Sequence, residues 1–280
     1  MTAADDPTSA TTRPAGPTYP TSLGTSSRTT ISLLGHNLAE DLMGQVGFGE
    51  LALWMVTQQR PTPSKVRVFE ACLVALADHG FTPTAIAARL TYVSAPDSLQ
   101  GAIAAGLLGG GSRFLGVTED CGQYLAAVLA EHAELPGLGE EDDGAWDEIA
   151  RAAIAATKAS HKFVPGLGHP NHKDGDPRTP ALMAIAAEEG LKGPHLRLFE
   201  AIGRVHPQIL GRTLPLNGAG VCGAALADIG IPLSMLRGCA LLARAAGLLG
   251  QLAEEDRHPI GMDVYMSVDR NAVYVEPDAG

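Results

Sequence analysis

Apolar residues recur at helical rather than alternating spacing along almost the whole chain. Phe48, Leu51, Leu53, Trp54 and Val56 predict a partly buried helix before the Pro61–Pro63 break. Val66, Phe69, Leu73 and Leu76 repeat at three- and four-residue steps and stop at Asp78-His79-Gly80. Thr82-Pro83 then reads as an N-cap followed by proline at the first helical position, opening a helix to about Tyr92. Further helices are predicted near Ser98–Leu108, Val117–His132, Trp146–Ser160, Pro180–Glu189, His195–Val205, Gly218–Ile229 and Leu233–Leu252. Gly109-Gly110-Gly111 ends the first of these, and an acidic loop, Gly137–Gly144, follows the second. Alternating patterns are rare, with short strands predicted only at Thr29–Leu34 and Ala272–Val275. The expected fold class is therefore all-α.

Composition sharpens this picture. Apolar residues make up 45 % of 280 positions, which suits a folded globular chain, and aromatics only 5 %. Alanine, leucine and glycine dominate, as in closely packed helix pairs. Residues 1–28, rich in Thr, Ser, Pro and Gly, read as a disordered tail without the apolar stretch of a signal peptide. The longest apolar stretch, Leu236–Leu252, is interrupted by Arg237 and Arg244, so no membrane span is expected. A net charge of −11 argues against nucleic acid as a partner. Cys72, Cys121, Cys222 and Cys239 form no CxxC pair. They read as small buried hydrophobes, consistent with a reducing cytoplasm.

The passage Val164–Pro180, "VPGLGHPNHKDGDPRTP", breaks the apolar rhythm. Gly166, Gly168 and Gly175 let the backbone turn sharply and approach a ligand. His169 is suited to proton exchange near neutral pH. Asp176-Pro177 and Thr179-Pro180 look like helix openings, whose free N–H groups attract anions. Arg178 beside them has the fork that grips a carboxylate. The alternative is a polar surface turn with His172, Lys173 and Asp174 solvated.

"PGLGHPNHKDGDPR" resembles the GxGH…DPR motif of the citrate synthase family. Three further segments follow in the family's order. "ALADHGFTPTAIAARL" resembles the stretch bearing its first active-site histidine. "GLLGGGSRFLG" resembles the glycine-rich stretch of citryl-CoA lyase modules, including the C-terminal part of ATP-citrate lyase. "LPLNGAGVCGAALADIGIP" precedes "LLARAAGLLGQLAEEDRHPI". Together the matches span about residues 29–265.

The resemblance implies a helical fold with a large domain (29–145 and 225–280) and a small one (146–224). It also implies a dimer or larger homo-oligomer, and coenzyme A as part of an acyl-CoA substrate paired with a small di- or tricarboxylate. By the same resemblance His79 binds the carbonyl or hydroxyl oxygen, and His169 polarises that oxygen and moves a proton. Arg178 and Arg244 clamp carboxylates, and Leu167-Gly168 faces coenzyme A. No metal is required. The implied reaction is cleavage or formation of a carbon–carbon bond beside a thioester: citryl-CoA to acetyl-CoA plus oxaloacetate.

Three positions depart from the family pattern. Ser112 replaces the synthase histidine that stabilises the acetyl-CoA enolate, as in the lyase branch, and its hydroxyl is a candidate thioester contact. Ala219 stands where the family carries its catalytic aspartate, and Asp228 lies too far along the helix to replace it. In "DRHPI", Arg257 or His258 would supply the charge that reaches a partner subunit's site. Ala219 leaves two alternatives open: turnover of a different acyl-CoA, or a non-catalytic binder of CoA and carboxylate. Arg89 and Arg113 are each read as a contact to CoA phosphate or carboxylate, or as an internal ion pair. His36, His132, His161, His195 and His206 are read as caps or solvated side chains.

Overall fold

A computed structural model describes residues 16–277. Its contacts divide into two units, one up to Gly47 and one from Phe48 onward. In the first unit, β1 (Gly24–Ser26), β2 (Ile31–Leu33) and β3 (His36–Asn37) form an antiparallel sheet in sequence order. The β2–β3 turn is Leu34-Gly35, both at positive φ, the twist that suits a two-residue hairpin. Asn37 then caps a short π-helix, Leu38–Leu42, by accepting from the N–H groups of Ala39 and Glu40. The strand expected at Thr29–Leu34 is thus present. Within the expected tail, Gly24–Ser26 is instead a strand, because Ser27 and Thr30 close a turn that folds it onto β2. Residues 1–15 of that tail lie outside the described residues.

The second unit is helical: α1 (Phe48–Thr57), α2 (Pro63–Ala77), α3 (Pro83–Ser94), α4 (Leu99–Leu108), α5 (Val117–Ala130), α6 (Asp143–Ala159), α7 (Arg178–Glu188), α8 (Pro194–Leu210), α9 (Gly218–Asp228), α10 (Leu236–Arg257) and α11 (Gly261–Arg270). Thr82 caps α3 through its hydroxyl, with Pro83 at the first position, as the sequence predicts. The Ala272–Val275 strand does not form. That segment follows α11 without a ladder partner, and Val273, Tyr274 and Val275 are exposed. α11 itself has no counterpart in the apolar pattern, since only Gly261 in it is buried.

The core forms around α9, whose residues Gly218 and Gly220 to Leu226 are all buried. It is crossed by α5 and flanked by α2, α7 and α8. Small residues set these crossings. A Cβ on Gly223 would fall 2.1 Å from the Thr118 carbonyl oxygen of α5, so only glycine permits that approach. The same holds where α10 meets the end of α2: a Cβ on Gly247 would fall 1.8 Å from the Ala77 carbonyl oxygen. α10 is long and apolar enough to cross a membrane by length and composition alone. However, it packs against α2, α3, α4 and α5, and buries Arg244, Gln251 and Glu255 in contact with other helices.

Gly247→Ala gains helix propensity of about 1 kcal/mol. It also forces a backbone-to-backbone clash that cannot relax by a rotamer change. The clash is expected to win, with a net loss of about 2 kcal/mol and a melting temperature lower by roughly 4–8 °C. A thermal melt followed by circular dichroism checks this; an unchanged or higher midpoint contradicts the packing account.

Candidate active site

The sequence after α6 is too rich in glycine and proline to continue as helix, and it is held by another segment instead. Gly166 and Gly168 adopt φ of +85° and +86°, conformations that favour glycine. The Gly168 N–H donates to the Pro215 carbonyl (2.7 Å), and the Asn217 N–H to the Gly166 carbonyl (2.9 Å). The Asn217 side-chain amide donates to the Gly168 carbonyl (2.8 Å) while its Oδ1 caps α9 at the Gly220 N–H. This stitching fixes His169 at the floor of a cavity of about 610 Å³.

The cavity is lined by His79 from the loop after α2, by Leu167, Gly168 and His169, and by Arg178, Ala219 and Arg244 at the ends and flanks of three helices. Arg113 also lines it, so one of the two readings of that residue gains a ligand-facing position. Arg89 does not: it is 1 % exposed and paired with Glu254 and Glu255, an internal ion pair. Ser112 is exposed and not among the lining residues, because the turn after α4 directs Arg113 and Phe114 to the cavity instead. Arg257 is exposed at the end of α10, likewise away from the cavity.

His169 has a defined tautomer. Its Nδ1 accepts from the backbone N–H groups of Asn171 (3.1 Å) and His172 (3.0 Å). A neutral His169 therefore carries its proton on Nε2 and acts there as a donor. Burial, then the neighbouring His172, lowers its pKa from the ordinary 6.5, so the neutral donor form dominates at pH 7.

His172 is not a solvated turn residue. It is half-buried, its Nε2 lies 3.1 Å from His79 Nε2, and its ring centroid lies 4.4 Å from that of His169. One atom from each of the three rings falls within 4.8 Å of the others, a spacing that a metal-ligand set also shows. Ligation through His169 Nε2 would need the ring proton on Nδ1, where two backbone N–H groups already point. The hydrogen bonds thus favour an oxygen ligand over a metal at His169. Only the tertiary fold brings His79 and His172 together, and no sequence spacing signals the pair.

The two arginines differ. Arg178 Nε and Nη2 engage Asp176 (2.9 and 2.7 Å), and Nη1 donates to the Ala75 carbonyl (3.1 Å). The fork that the sequence assigns to a ligand carboxylate is thus turned onto Asp176, which leaves one N–H on each terminal nitrogen. Asp176 also accepts from the Gly218 N–H (2.7 Å). Burial pushes its carboxyl up, but the bonds from Arg178 and Gly218 outweigh this and hold it far below the usual range. Thr179 does not cap α7; its hydroxyl donates to the Leu216 carbonyl.

Arg244 is 6 % exposed and bonds only neutral groups: Thr82 Oγ1 (3.2 Å), Thr84 Oγ1 (3.5 Å) and the Leu76 carbonyl (3.2 Å). Its Nε is buried without a partner, and no carboxylate lies within ion-pair distance among the described residues. Burial lowers its pKa, Asp78 opposes this, and Arg178 adds to it. A buried guanidinium without a counter-ion is costly, and an anion entering the cavity relieves that cost.

Asp120 is the only carboxylate among the lining residues, and Arg237 stands 3.9 Å from it. Asp228 does not reach the cavity. It caps α8, accepting from the N–H groups of His195 and Leu196 (3.0 and 2.9 Å) and meeting His195 Nδ1 at 2.8 Å. His206 is also no surface residue: it is 2 % exposed and accepts the Leu214 N–H through Nε2.

The family model described as citrate synthase, C-terminal domain, matches residues 19–261. The chain belongs to the citrate synthase family. Within this family its shape is similar to that of citryl-CoA lyase from Hydrogenobacter thermophilus, with 26 % identity over 94 % of this chain and 96 % of that one, TM-score 0.78. It also resembles ATP citrate lyase from Methanothrix soehngenii in complex with citrate and coenzyme A, with 19 % identity and TM-score 0.76. There the match covers 94 % of this chain and 42 % of the other. A citrate synthase from Thermoplasma acidophilum matches at 17 % identity and TM-score 0.65, covering 84 % of this chain and 58 % of that one. No curated protein matches. The citrate synthase-like helical fold is thus established for this chain, and its size is that of the Hydrogenobacter lyase.

Asp176→Asn removes the anion that orients Arg178 and joins α7 to α9. A loss of about 3 kcal/mol is expected at pH 7. Because the folded pKa is depressed, the wild-type advantage is full above the ordinary value of 3.8 and declines as pH falls toward the folded value. The gap between the denaturant midpoints of the two proteins should therefore narrow steadily as pH falls below about 4. A gap that is independent of pH contradicts the assignment.

Proposed function

We propose that this citrate synthase-family chain cleaves or forms a carbon–carbon bond beside a CoA thioester, interconverting citryl-CoA with acetyl-CoA and oxaloacetate. The observation that carries this reading is Arg244, a buried cation lacking a counter-ion in a cavity that also presents His79 and His169. A carboxylate supplies the missing charge. The Nε2–H of His169 donates to the oxygen that is hydroxyl in one substrate and carbonyl in the other. That bond strengthens as negative charge builds on the oxygen, which lowers the barrier. The thioester acidifies the adjacent carbon, so the acetyl enolate can form or depart. Coenzyme A would lie along Leu167-Gly168 and Arg113, which line the same cavity.

The similarity to the Hydrogenobacter citryl-CoA lyase over nearly the full length of both chains supports the lyase direction. Homodimer assembly and the reach of Arg257 into a partner's site belong to this proposal; Arg257 is exposed and free to do so. A second reading rests on Ala219, which lines the cavity with a methyl group where a proton-exchanging carboxylate would serve. On that reading the chain binds CoA and carboxylate without turnover.

Purified protein incubated with citryl-CoA should release oxaloacetate, read by its enzymatic reduction. His169→Ala is expected to lower the rate by about 10²–10⁴-fold. Arg244→Met should raise KM for the carboxylate-bearing substrate. No oxaloacetate above the protein-free rate rejects the lyase reading. Activity that appears only in Ala219→Asp establishes the binder.

A further inference from the structure

Two imidazoles, those of His79 and His169, line the cavity, and His169 is fixed as a donor at Nε2. A reaction that takes a proton from a hydroxyl and returns one to carbon also needs an acceptor. His79 is a candidate for that need, and among the described residues its side-chain hydrogen bond is to another imidazole. His79 Nε2 and His172 Nε2 lie 3.1 Å apart, so exactly one of them can hold the intervening hydrogen. Among the described residues neither ring's Nδ1 has a hydrogen-bond partner, and His79 lines the cavity while His172 does not.

We propose that His172 is the far half of a one-proton relay, a positioning residue that takes up through His79 the proton released in the cavity. The relay rests on the lyase reading for its chemistry but not for its existence. In the resting pair His79 Nε2–H donates to His172 Nε2, which leaves His79 Nδ1 as a base. The substrate hydroxyl gives its proton to His79 Nδ1, and the His79 Nε2 proton passes to His172. The electrons of the O–H bond become the carbonyl π bond, and those of the carbon–carbon bond become the enolate. The enolate carbon then takes the proton from His79 Nδ1 as His172 returns its own to His79 Nε2. The pair ends as it began, and the hydroxyl proton has been exchanged for one on carbon. His172 and His79 together thus supply the proton exchange that Ala219 cannot.

Titratable and charged groups flank the pair. His169 stands on the same loop, and Arg178 and Arg244 approach from α7 and α10; Asp176 is spent on Arg178. Asp78, beside His79, is held by the Gly80 N–H and the Gln251 amide.

The test uses the full chain with ¹⁵N-labelled histidine. At neutral pH the spectra should show one protonated and one bare Nε2 within the pair, and His172→Ala should change the state of His79. Both Nε2 atoms protonated, or a His79 indifferent to His172→Ala, overturns the proposal whether or not the protein turns over citryl-CoA. In the turnover assay, His172→Gln keeps a hydrogen-bonding partner for His79 but cannot carry a proton. Its kcat should fall about 10²-fold with KM changed less than about 2-fold, and imidazole added to His172→Ala should restore part of the rate. A His172→Gln enzyme as fast as wild type also overturns it. If wild type is inactive toward citryl-CoA while the pair shares a proton, the lyase reading alone fails.

Discussion

A buried carboxylate holds the cavity end of this molecule together. Asp176 accepts from the Gly218 N–H that opens α9, from the Arg178 N–H that opens α7, and from the Arg178 guanidinium. Two helix starts that would each leave N–H groups unsatisfied are thereby joined by one anion. Gly218 completes the arrangement, because any Cβ there would fall 2.3 Å from Arg178 Nε. The loop carrying His169 runs directly into this junction and is tied along its other edge to Asn217. Displacing Asp176 would therefore disturb His169, Arg178 and Ala219 together, although Asp176 does not line the cavity.

The charges of the helical unit divide into settled and unsettled ones. Arg89 and Arg197 are even more buried than Arg244, and both meet carboxylates. Only Arg244 among these three bonds neutral oxygens alone. The surrounding fold keeps it in place: Gly247 lets α10 touch the end of α2, and Thr82 and Thr84 present their hydroxyls from the start of α3. The helical frame thus holds a positive charge without an ion-pair partner at a fixed point. An overall charge of −11 does not prevent anion binding, because the local lining has Arg113, Arg178 and Arg244 against the single carboxylate of Asp120.

The helices were legible wherever burial left a one-sided apolar stripe. Thr82-Pro83 marked the start of α3 because a hydroxyl cap and a preset φ act locally. α11 was not legible, since it buries almost nothing within this chain. The Ala272–Val275 segment had strand-like composition without any strand to pair with, and composition cannot report a missing partner. At the site, motif order led to His79, His169, Arg178 and Arg244, and the fold brings all four to one cavity. The sequence could not show that Arg178 would turn to Asp176, two residues away, or that His172 would meet His79 across 93 positions. Both depend on where the loop folds back, which is decided by Pro215 and Asn217.

Alanine at position 219, where the resemblance to the family implies an aspartate, bears on what the rest of the site must do. A carboxylate there would place a negative charge in the cavity and offset part of the field of Arg244 and Arg178. With alanine, the lining is more cationic, which on the proposed reading would strengthen the hold on a polycarboxylate and stabilise an enolate. Burial and His172 lower the pKa of His169, and Arg178 adds to that lowering. Neutral imidazoles at pH 7 are what a hydroxyl proton needs as acceptors. With alanine at 219, the proposed reaction leaves proton exchange in the cavity to the histidines that line it, His79 and His169.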